Sequence, residues 1–273
     1  MTDKYAVIGN PIAHSKSPQI HKMFAEQTGQ DISYEAIEAP LVGFTNTIER
    51  LRKEGYKGCN VTVPFKFEAF EFAKHNLTNH AQGAQAVNTL KFEDSTILGD
   101  NTDGTGLVHD IQQNHNLSLR DRRVLLIGAG GAAYGVVLPL FGAEAKLTVV
   151  NRTQSKAEQL SRTFAAYGSI VATTYAELKA SKQQFDMVIN ASSSGLSDDV
   201  RPELLDTILV KDGLAYEMVY SRVTQFQKFA IENSMKILDG HGMLVEQAAE
   251  SFFLWRGVRP ETAPVIAALR NKQ

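Results

Sequence analysis

The chain has 273 residues, 43% of them hydrophobic and 21% charged, with a formal net charge of -2. These values predict a soluble globular protein of one large domain or two modest ones, and the near-neutral charge argues against a general nucleic-acid binder. Cys59 is the single cysteine, so an intrachain disulfide is excluded, and the seven histidines show no metal-ligand spacing. We therefore expect no metal site and no nucleic-acid partner.

The N-terminal part of the protein alternates short apolar runs with helix-like segments. The runs "YAVIG", "SYEAIE" and "KGCNVTV" predict strands, and helices are predicted after them at 18–28, 43–54 and 65–75. The extended runs "AVNTLKF" and "STILGD" are separated by Glu93 and Asp94 and predict a hairpin or a tight connection. This alternation is typical of a parallel or mostly parallel sheet covered by helices.

A second alternation starts at Arg123. The segment "VLLIGAGGAA" predicts a strand, a glycine turn and the start of a helix, and "KLTVVNRT" predicts the next strand and turn. A helix near 153–166 and the strands "SIVATT", "FDMVINAS" and "GLAYEMVY" follow. Because the series restarts with its own glycine turn, we predict the α/β class, with two α/β domains and a ligand-binding cleft between them. Helices near 242–256 and 260–270 could return to the first domain.

The stretch from Val124 to Ala143 contains no charged residue and is long enough to span a bilayer. Several glycines crowd its middle, and Pro139 follows them. A strand, a glycine turn and a helix therefore account for the stretch better than a membrane span. Since the N-terminus "MTDKYAVIGNP" also lacks the long apolar run of a signal peptide, we predict a cytoplasmic protein with no membrane partner.

The glycine turn has the spacing of a dinucleotide-binding site. Gly128, Gly130 and Ala133 match the pattern GxGxx(G/A) directly after an apolar strand. Glycines allow a tight turn and a close approach of backbone N–H groups to a pyrophosphate, and the helix N-terminus favours that anion. The second domain is therefore predicted to be of the Rossmann type, with a purely structural glycine turn as the alternative.

The end of the next strand favours NADP over NAD. An NAD-binding unit usually carries an acidic residue there, which accepts a hydrogen bond from the ribose 2′-hydroxyl. This protein has Asn151, which does not repel a phosphate, and Arg152, whose guanidinium suits one. Thr153 and Lys156 can add a hydroxyl and a second positive charge. The alternative is a capped helix with a solvated basic turn.

Polar residues follow several strands of the first domain, where ligands gather in open α/β sheets. They are Asn60, Thr62 and Lys66 in "NVTVPFK", Asn88 in "AVNTL", and Asp100, Asn101 and Asp103 in "GDNTDGTG". Each alone has a structural alternative such as a helix cap or a turn, but their joint occurrence beside a dinucleotide fold predicts a binding site. In "SKSPQIH", Ser17 is predicted to cap a helix that starts at Pro18, which leaves Ser15 without a role.

Taken together, these motifs resemble those of the shikimate dehydrogenase family. The segments "SKSP", "NVTVPFK", "AVNTL", "GDNTDG", "GAGGAA", "NRT" and "GMLVEQAAESFFLW" occur in the family's order over nearly the whole sequence. The resemblance implies a reversible NADPH-dependent reduction of 3-dehydroshikimate to shikimate in aromatic amino acid biosynthesis, in the chorismate pathway. It also implies a substrate-binding catalytic domain at 1–102 and 241–273, and an NADP-binding Rossmann domain at 103–240.

The resemblance also assigns roles to single residues. The implied catalytic pair is Lys66 and Asp103. The implied substrate-binding residues are Ser15, Ser17, Asn60, Thr62, Asn88, Tyr220 and Gln247, of which the two serines would bind the carboxylate. The implied cofactor-binding residues are Gly128, Ala129, Gly130, Gly131, Ala132, Asn151, Arg152, Thr153, Lys156, Met218 and Gly240.

A lysine beside a carboxylate suits the implied chemistry. NADPH supplies a hydride to the carbonyl carbon, and the protein must protonate the oxygen as negative charge develops there. Lys66 is the expected acid in reduction and base in oxidation, with Asp103 orienting it. The proton is not assigned to Lys66 alone, because two interacting groups titrate together.

Some residues depart from the family pattern. Ala133-Tyr134 stands where many members have a small residue followed by arginine, and Glu217 stands where aspartate is common. Two alternative functions are kept, a quinate/shikimate dehydrogenase with relaxed cofactor use and a non-catalytic NADP-sensing binding protein. The predicted partner is a small-molecule substrate, shikimate or 3-dehydroshikimate, and a homodimer is left open.

Overall fold

The computed structural model describes residues 2–93, 95–192, 204–220 and 222–271. The protein divides into two compact units. The first unit comprises Met1–Leu107 and Leu244–Gln273, and the second unit comprises Val108–Met243. Each unit has its own β-sheet with helices, and each is described by itself.

The first unit contains a five-stranded sheet in the order β2-β1-β3-β4-β5. Its elements in the N-terminal part of the sequence are β1 (Asp3–Gly9), α1 (Ser17–Thr28), β2 (Ile32–Glu38), α2 (Phe44–Lys53), β3 (Tyr56–Val61), α3 (Lys66–Ala73), α4 (Asn79–Ala84), β4 (Thr89–Phe92), β5 (Ile97–Asp100) and α5 (Asp103–His109), which crosses the unit boundary. The strands β2, β1 and β3 run parallel, whereas β4 is antiparallel to both of its neighbours. The predicted mostly parallel sheet and the predicted hairpin are confirmed.

Helix α2 illustrates how the apolar pattern builds this unit. Phe44, Thr47, Ile48 and Leu51 are buried, and their i, i+3, i+4, i+7 spacing is that of one helix face. Phe44 stacks on Phe65 with ring centroids 5.3 Å apart. The apolar face of α2 therefore packs into the same core as β1 and β3.

The second unit contains a six-stranded sheet in the order β11-β10-β9-β6-β7-β8. Its elements after the π-helical turn Asp110–Asn114 are β6 (Arg123–Ile127), α6 (Gly131–Gly142), β7 (Lys146–Val150), α7 (Gln154–Phe164), β8 (Ile170–Thr173), α8 (Tyr175–Ala180), β9 (Phe185–Asn190), α9 (Leu205–Ile208), β10 (Leu209–Glu217), α10 (Gln225–Glu232) and β11 (Lys236–Leu238). All neighbouring strands are parallel. This is the doubly wound strand order: β7 and β8 are added on one side of β6, and β9, β10 and β11 on the other. The predicted Rossmann-type unit is therefore confirmed.

The uncharged stretch 124–143 forms most of β6, the glycine turn and α6, as predicted. None of the described helices combines the length and the hydrophobicity that crossing a bilayer requires. The sequence patterns did not predict α4, α8, α9, α10 or β11. Two of these helices begin with a capping box, Thr174 with Glu177 at α8 and Thr224 with Gln227 at α10, which is a local signal that could have revealed them.

The protein ends in two helices, α11 (His241–Arg256) and α12 (Ala263–Arg270). From Leu244 onward the residues belong to the first unit. Trp255 anchors α11 there, because its Nε1 donates a hydrogen bond to the carbonyl oxygen of Leu90 at 3.1 Å. Its ring also stacks on Tyr5 with centroids 4.6 Å apart.

Candidate active site

Lys66 and Asp103 form an ion pair in the first unit. Lys66 is the first residue of α3 and Asp103 is the first residue of α5, and the Lys66 Nζ lies 2.5 Å from the Asp103 Oδ2. The two side chains are 13% and 8% exposed. The pair is therefore shielded from most of the solvent, which strengthens the attraction between the two charges. The lysine side chain keeps a small exposure to solvent.

Asn88 holds the other oxygen of the carboxylate. Its Nδ2 donates to the Asp103 Oδ1 at 2.9 Å and to the Thr102 Oγ1 at 2.9 Å. Its Oδ1 accepts from the backbone N–H of Thr102, also at 2.9 Å. The Gln247 Oε1 lies 3.4 Å from the same Asn88 Nδ2. Four residues expected at the site, Lys66, Asn88, Asp103 and Gln247, are thus brought together.

Asn60 lies at the end of β3 and is buried. Its Nδ2 donates to the Thr89 Oγ1 at 3.0 Å and to the Ser251 Oγ at 2.9 Å. Its Oδ1 accepts from the Tyr34 hydroxyl at 2.7 Å. Thr62, two residues further along, is half-buried. The Asn60 amide therefore already has protein partners at both of its polar atoms.

The two serines of the first turn do not act as predicted for a helix cap. Helix α1 begins at Ser17 itself. Its N-cap residue is Lys16, whose side chain makes no capping hydrogen bond. The predicted cap by Ser17 of a helix starting at Pro18 is wrong. Ser15 is the serine that makes a local hydrogen bond: its Oγ accepts from the backbone N–H of Ser17 at 3.2 Å. A Ser hydroxyl two residues ahead can satisfy such an N–H without occupying the cap position.

The glycine turn of the second unit requires glycine at Gly128. Its φ is +113°, and a Cβ there would lie 2.9 Å from the backbone nitrogen of Ser192 and 3.0 Å from the backbone carbonyl carbon of Ala191. Gly130 is exposed and a Cβ on it would meet nothing within 4 Å, and Gly131 begins α6. A tight turn with open space at a helix N-terminus suits a pyrophosphate.

The turn after β7 is basic and exposed. Arg152, Thr153 and Lys156 are exposed, and the Asn151 Nδ2 donates to the backbone carbonyl of Thr153 at 2.9 Å. Thr153 is the N-cap of α7, but its hydroxyl makes no cap bond. The side-chain cap of the alternative is therefore absent at Thr153, whereas its exposed basic turn is present, and the chemistry of that turn fits a phosphate.

Met218 and Gly240 are close neighbours at another edge of the second unit. A Cβ on Gly240 would lie 2.3 Å from the carbonyl oxygen of Met218, so the two backbones touch. Tyr220 lies near His241, with ring centroids 6.1 Å apart. The strand end before Met218 is held by Glu217, whose carboxylate accepts from Asn190, Val219 and Thr224. Burial raises the pKa of Glu217, and the three hydrogen bonds oppose that shift.

Tyr134, which departs from the family pattern, is buried inside the second unit. It is 7% exposed and packs edge-on against Phe164, with centroids 5.6 Å apart. The sequence patterns did not reveal Tyr34, Thr89, Thr102 and Ser251 in the polar network of the first unit. Thr102 stands inside "GDNTDG" and Ser251 lies one helical turn after Gln247, so both positions carried a signal.

The fold and these polar groups define a two-domain oxidoreductase with a Rossmann-type unit for NADP. Family models match three stretches of the sequence: "Shikimate dehydrogenase substrate binding domain" at 7–90, "Shikimate / quinate 5-dehydrogenase" at 110–197 and "Shikimate 5'-dehydrogenase C-terminal domain" at 240–270. The protein belongs to the shikimate dehydrogenase family.

Individual relatives cover the sequence almost completely. A protein of Nitrosospira multiformis named "Shikimate dehydrogenase (NADP(+))" is 55% identical over 274 residues, which cover 99% of this protein and 98% of the relative. The crystal structure of an Ael1 enzyme from Pseudomonas putida is 44% identical with a TM-score of 0.87 and covers 98% of both proteins. Shikimate 5-dehydrogenase from Thermus thermophilus in complex with NADP(H) and shikimate is 30% identical with a TM-score of 0.86 over 100% of both proteins.

Proposed function

We propose that this protein catalyses the reversible NADPH-dependent reduction of 3-dehydroshikimate to shikimate. The observation that carries the proposal is the shielded Lys66–Asp103 pair, with Asn88 bound to the second carboxylate oxygen. A charged pair held by a third residue suits proton transfer to a carbonyl oxygen. A protein that only senses NADP would have no use for it.

We propose that residues 1–102 and 241–273 form the substrate-binding catalytic domain and that 103–240 form the NADP-binding domain. Because the two compact units divide after Leu107 and after Met243, Asp103 is proposed to belong with the catalytic domain. The substrate-domain match at 7–90 supports the first assignment. The strand order and the glycine turn support the second.

The residues of the second unit fit the cofactor, which would supply the hydride. The glycine turn, Gly128 to Ala132, would hold the pyrophosphate through its backbone N–H groups. Arg152, with Asn151, Thr153 and Lys156 around it, would hold the 2′-phosphate. Met218 and Gly240, whose backbones touch, would lie beside the nicotinamide.

In the proposed mechanism, Lys66 donates a proton from its Nζ to the substrate oxygen during reduction and accepts it back during oxidation. Asp103 keeps Lys66 in place through its Oδ2 and is itself held through its Oδ1 by Asn88. Because both carboxylate oxygens accept hydrogen bonds from donors, the carboxylate keeps one orientation. The Lys66 side chain is 13% exposed, and we propose that its proton exchanges with water by this route.

The remaining polar groups would bind and orient the substrate. Ser15 and Ser17 are proposed to bind its carboxylate. The residues proposed to bind its other polar groups are Asn60, Thr62, Asn88, Tyr220 and Gln247. Hydroxyls and amides can donate to the carboxylate and also accept from the ring hydroxyls, which matches the chemistry of shikimate.

Initial rates of the purified protein test the proposal. Reduction of NADP and of NAD is followed by nicotinamide absorbance, with shikimate and with quinate. The expected kcat/KM is largest for shikimate with NADP. Comparable values for quinate or for NAD would favour the relaxed quinate/shikimate dehydrogenase, and binding of NADP without turnover would favour the sensor.

We propose in addition a cytoplasmic location and a homodimer. Cys59 is free and buried, as is usual for proteins of a reducing compartment. Leu41 and Val42, adjacent in sequence, are 64% and 93% exposed, and we propose that they contribute to the contact between subunits. Light scattering tests the dimer, and a solution mass of 30.0 kDa, that of one subunit, would refute it.

A further inference from the structure

Three buried hydroxyl groups lie between Asn60 and Asn88 in the first unit, and no proposed role uses them. Thr89 and Ser251 are 0% exposed and Thr102 is 3% exposed. The Ser251 Oγ lies 2.8 Å from the Thr89 Oγ1 and 3.3 Å from the Thr102 Oγ1. We refer to these three residues as the hydroxyl cluster.

The hydroxyl cluster connects both asparagines. The Asn60 Nδ2 donates to Ser251 at 2.9 Å and to Thr89 at 3.0 Å. Thr89 in turn donates to the Asn88 Oδ1 at 2.9 Å. Thr102 accepts from the Asn88 Nδ2 at 2.9 Å. The cluster thus joins the end of β3, the start of β4 and the residues after β5 to helix α11.

One arrangement of protons uses each hydroxyl once as a donor. Thr102 donates to Ser251, Ser251 donates to Thr89 at 2.8 Å, and Thr89 donates to the Asn88 Oδ1. Each hydroxyl has one proton and two lone pairs, so this arrangement leaves no hydroxyl of the cluster without an acceptor for its proton. Buried networks that are fully satisfied hold their members rigidly.

The backbone N–H of Thr102 and the hydroxyl of Thr89 together decide how Asn88 faces Asp103. The Asn88 oxygen accepts from Thr89 and from the backbone N–H of Thr102. Its NH2 group must therefore face Asp103, to which it donates at 2.9 Å. The reverse orientation would place the amide oxygen against a carboxylate oxygen, which is repulsive.

We propose that Ser251 is a positioning residue of the active site: it holds Asn60 directly, and Asn88 through Thr89 and Thr102, in the orientations that the substrate and Asp103 require. The inference rests on the proposed function, because it assigns a purpose to the orientation of those amides. Ser251 does not itself touch the lysine–carboxylate pair. Ser251 lies on α11, far in the sequence from the strand ends. Its hydroxyl makes hydrogen bonds to Asn60 and Thr89 that link those strand ends to the helix.

Kinetics of Ser251→Ala and Thr102→Val test this role. Each variant removes one hydroxyl without adding bulk, and each should lower kcat/KM for shikimate about 3- to 10-fold, the usual effect of one hydrogen bond. The KM for NADP should stay the same. Thr102→Ser keeps the hydroxyl and should retain nearly the full kcat/KM for shikimate. In the double variant Ser251→Ala/Thr102→Val, the loss should be smaller than the product of the single losses, since both act in one network.

Ser161→Ala is the matched control. Ser161 lies in the second unit, and its Oγ donates to the carbonyl oxygen of Ile170 at 3.0 Å. Its loss should lower the melting temperature without changing the shikimate kinetics.

The inference is overturned if folded Ser251→Ala and Thr102→Val keep the wild-type kcat/KM for shikimate, or if the KM values for shikimate and NADP rise equally, as general loosening would cause. Should Ser251→Ala fail to fold, the comparison of Thr102→Val with Thr102→Ser decides alone. A wild-type protein that does not oxidise shikimate would refute the proposed function instead, so the two failures are distinguishable.

Discussion

The buried histidine of helix α1 should make the stability of the first unit depend on pH. His21 is 0% exposed, and its ring stacks on Tyr34 with centroids 4.1 Å apart. The ring centroids of Phe24, Phe252 and Trp255 lie 5.9, 6.1 and 5.5 Å from its own. Burial lowers the pKa of His21 from 6.5 to about 3, and the Asn60 amide opposes the shift. The imidazole is therefore neutral in the folded protein over the whole neutral and mildly acidic range.

The sign of the effect follows from linkage. The unfolded protein takes up a proton at His21 below pH 6.5, and the folded protein does so only near pH 3. Acid therefore favours the unfolded state, and the stability is lost as the pH falls through this interval. From pH 7 to pH 5 the loss attributable to His21 is roughly 2 kcal/mol, at about 1.4 kcal/mol for each pH unit below the unfolded pKa. That is a large part of the stability of an ordinary domain.

Urea unfolding of the wild type and of His21→Phe at pH 7 and pH 5 measures this loss. Trp255, the single tryptophan, belongs to the same aromatic cluster and reports on the first unit by its fluorescence. Phenylalanine keeps an aromatic ring without a titrating group, so the variant should lose about 2 kcal/mol less than the wild type between the two pH values. His75→Gln, at an exposed histidine, is the control and should follow the wild type. Equal losses in the wild type and His21→Phe would refute the reasoning.

The remaining predictions concern the proposed site. Lys66→Ala should lower kcat on the order of 10²-fold, with a much smaller change in shikimate affinity, and a near-normal kcat in the folded variant would remove its role in proton transfer. Ser15→Ala and Ser17→Ala should each raise the KM for shikimate while leaving the KM for NADP unchanged, and an unchanged shikimate KM in both would leave only a structural role. Of these two, Ser15→Ala should cause the larger fall in melting temperature, since the Ser15 hydroxyl accepts the N–H of Ser17. Arg152→Ala should lower the ratio of kcat/KM for NADP to that for NAD about ten- to a hundredfold, because NAD has only a hydroxyl where the guanidinium pairs with the 2′-phosphate. An unchanged ratio in Arg152→Ala and in its double variant with Lys156→Ala would show that this turn does not read the phosphate.

The sequence by itself determined the features that depend on neighbouring residues. The buried face of α2 follows from the spacing of Phe44, Ile48 and Leu51, and the β4–β5 hairpin from two short extended runs. The strand, tight turn and helix around Gly128 follow from glycines at one spacing after an apolar run. The sequence also shows directly that position 151 is an asparagine and not an acidic residue. Each of these is a property of a short segment, and it is set by the periodicity of the apolar side chains and by the steric limits of the backbone.

Only the tertiary structure decided which polar atoms meet. Lys66 and Asp103 are 37 positions apart, and Asn60 and Ser251 are 191 positions apart, so no local pattern states their contact. The same holds for Tyr134, whose burial against Phe164 depends on how α6 packs on α7. Hydrogen bonds require donor and acceptor within a few tenths of an ångström of about 3 Å, and that placement depends on the whole path of the backbone. The local pattern supplied the right kinds of residue, and the packing of distant elements brought their atoms into contact.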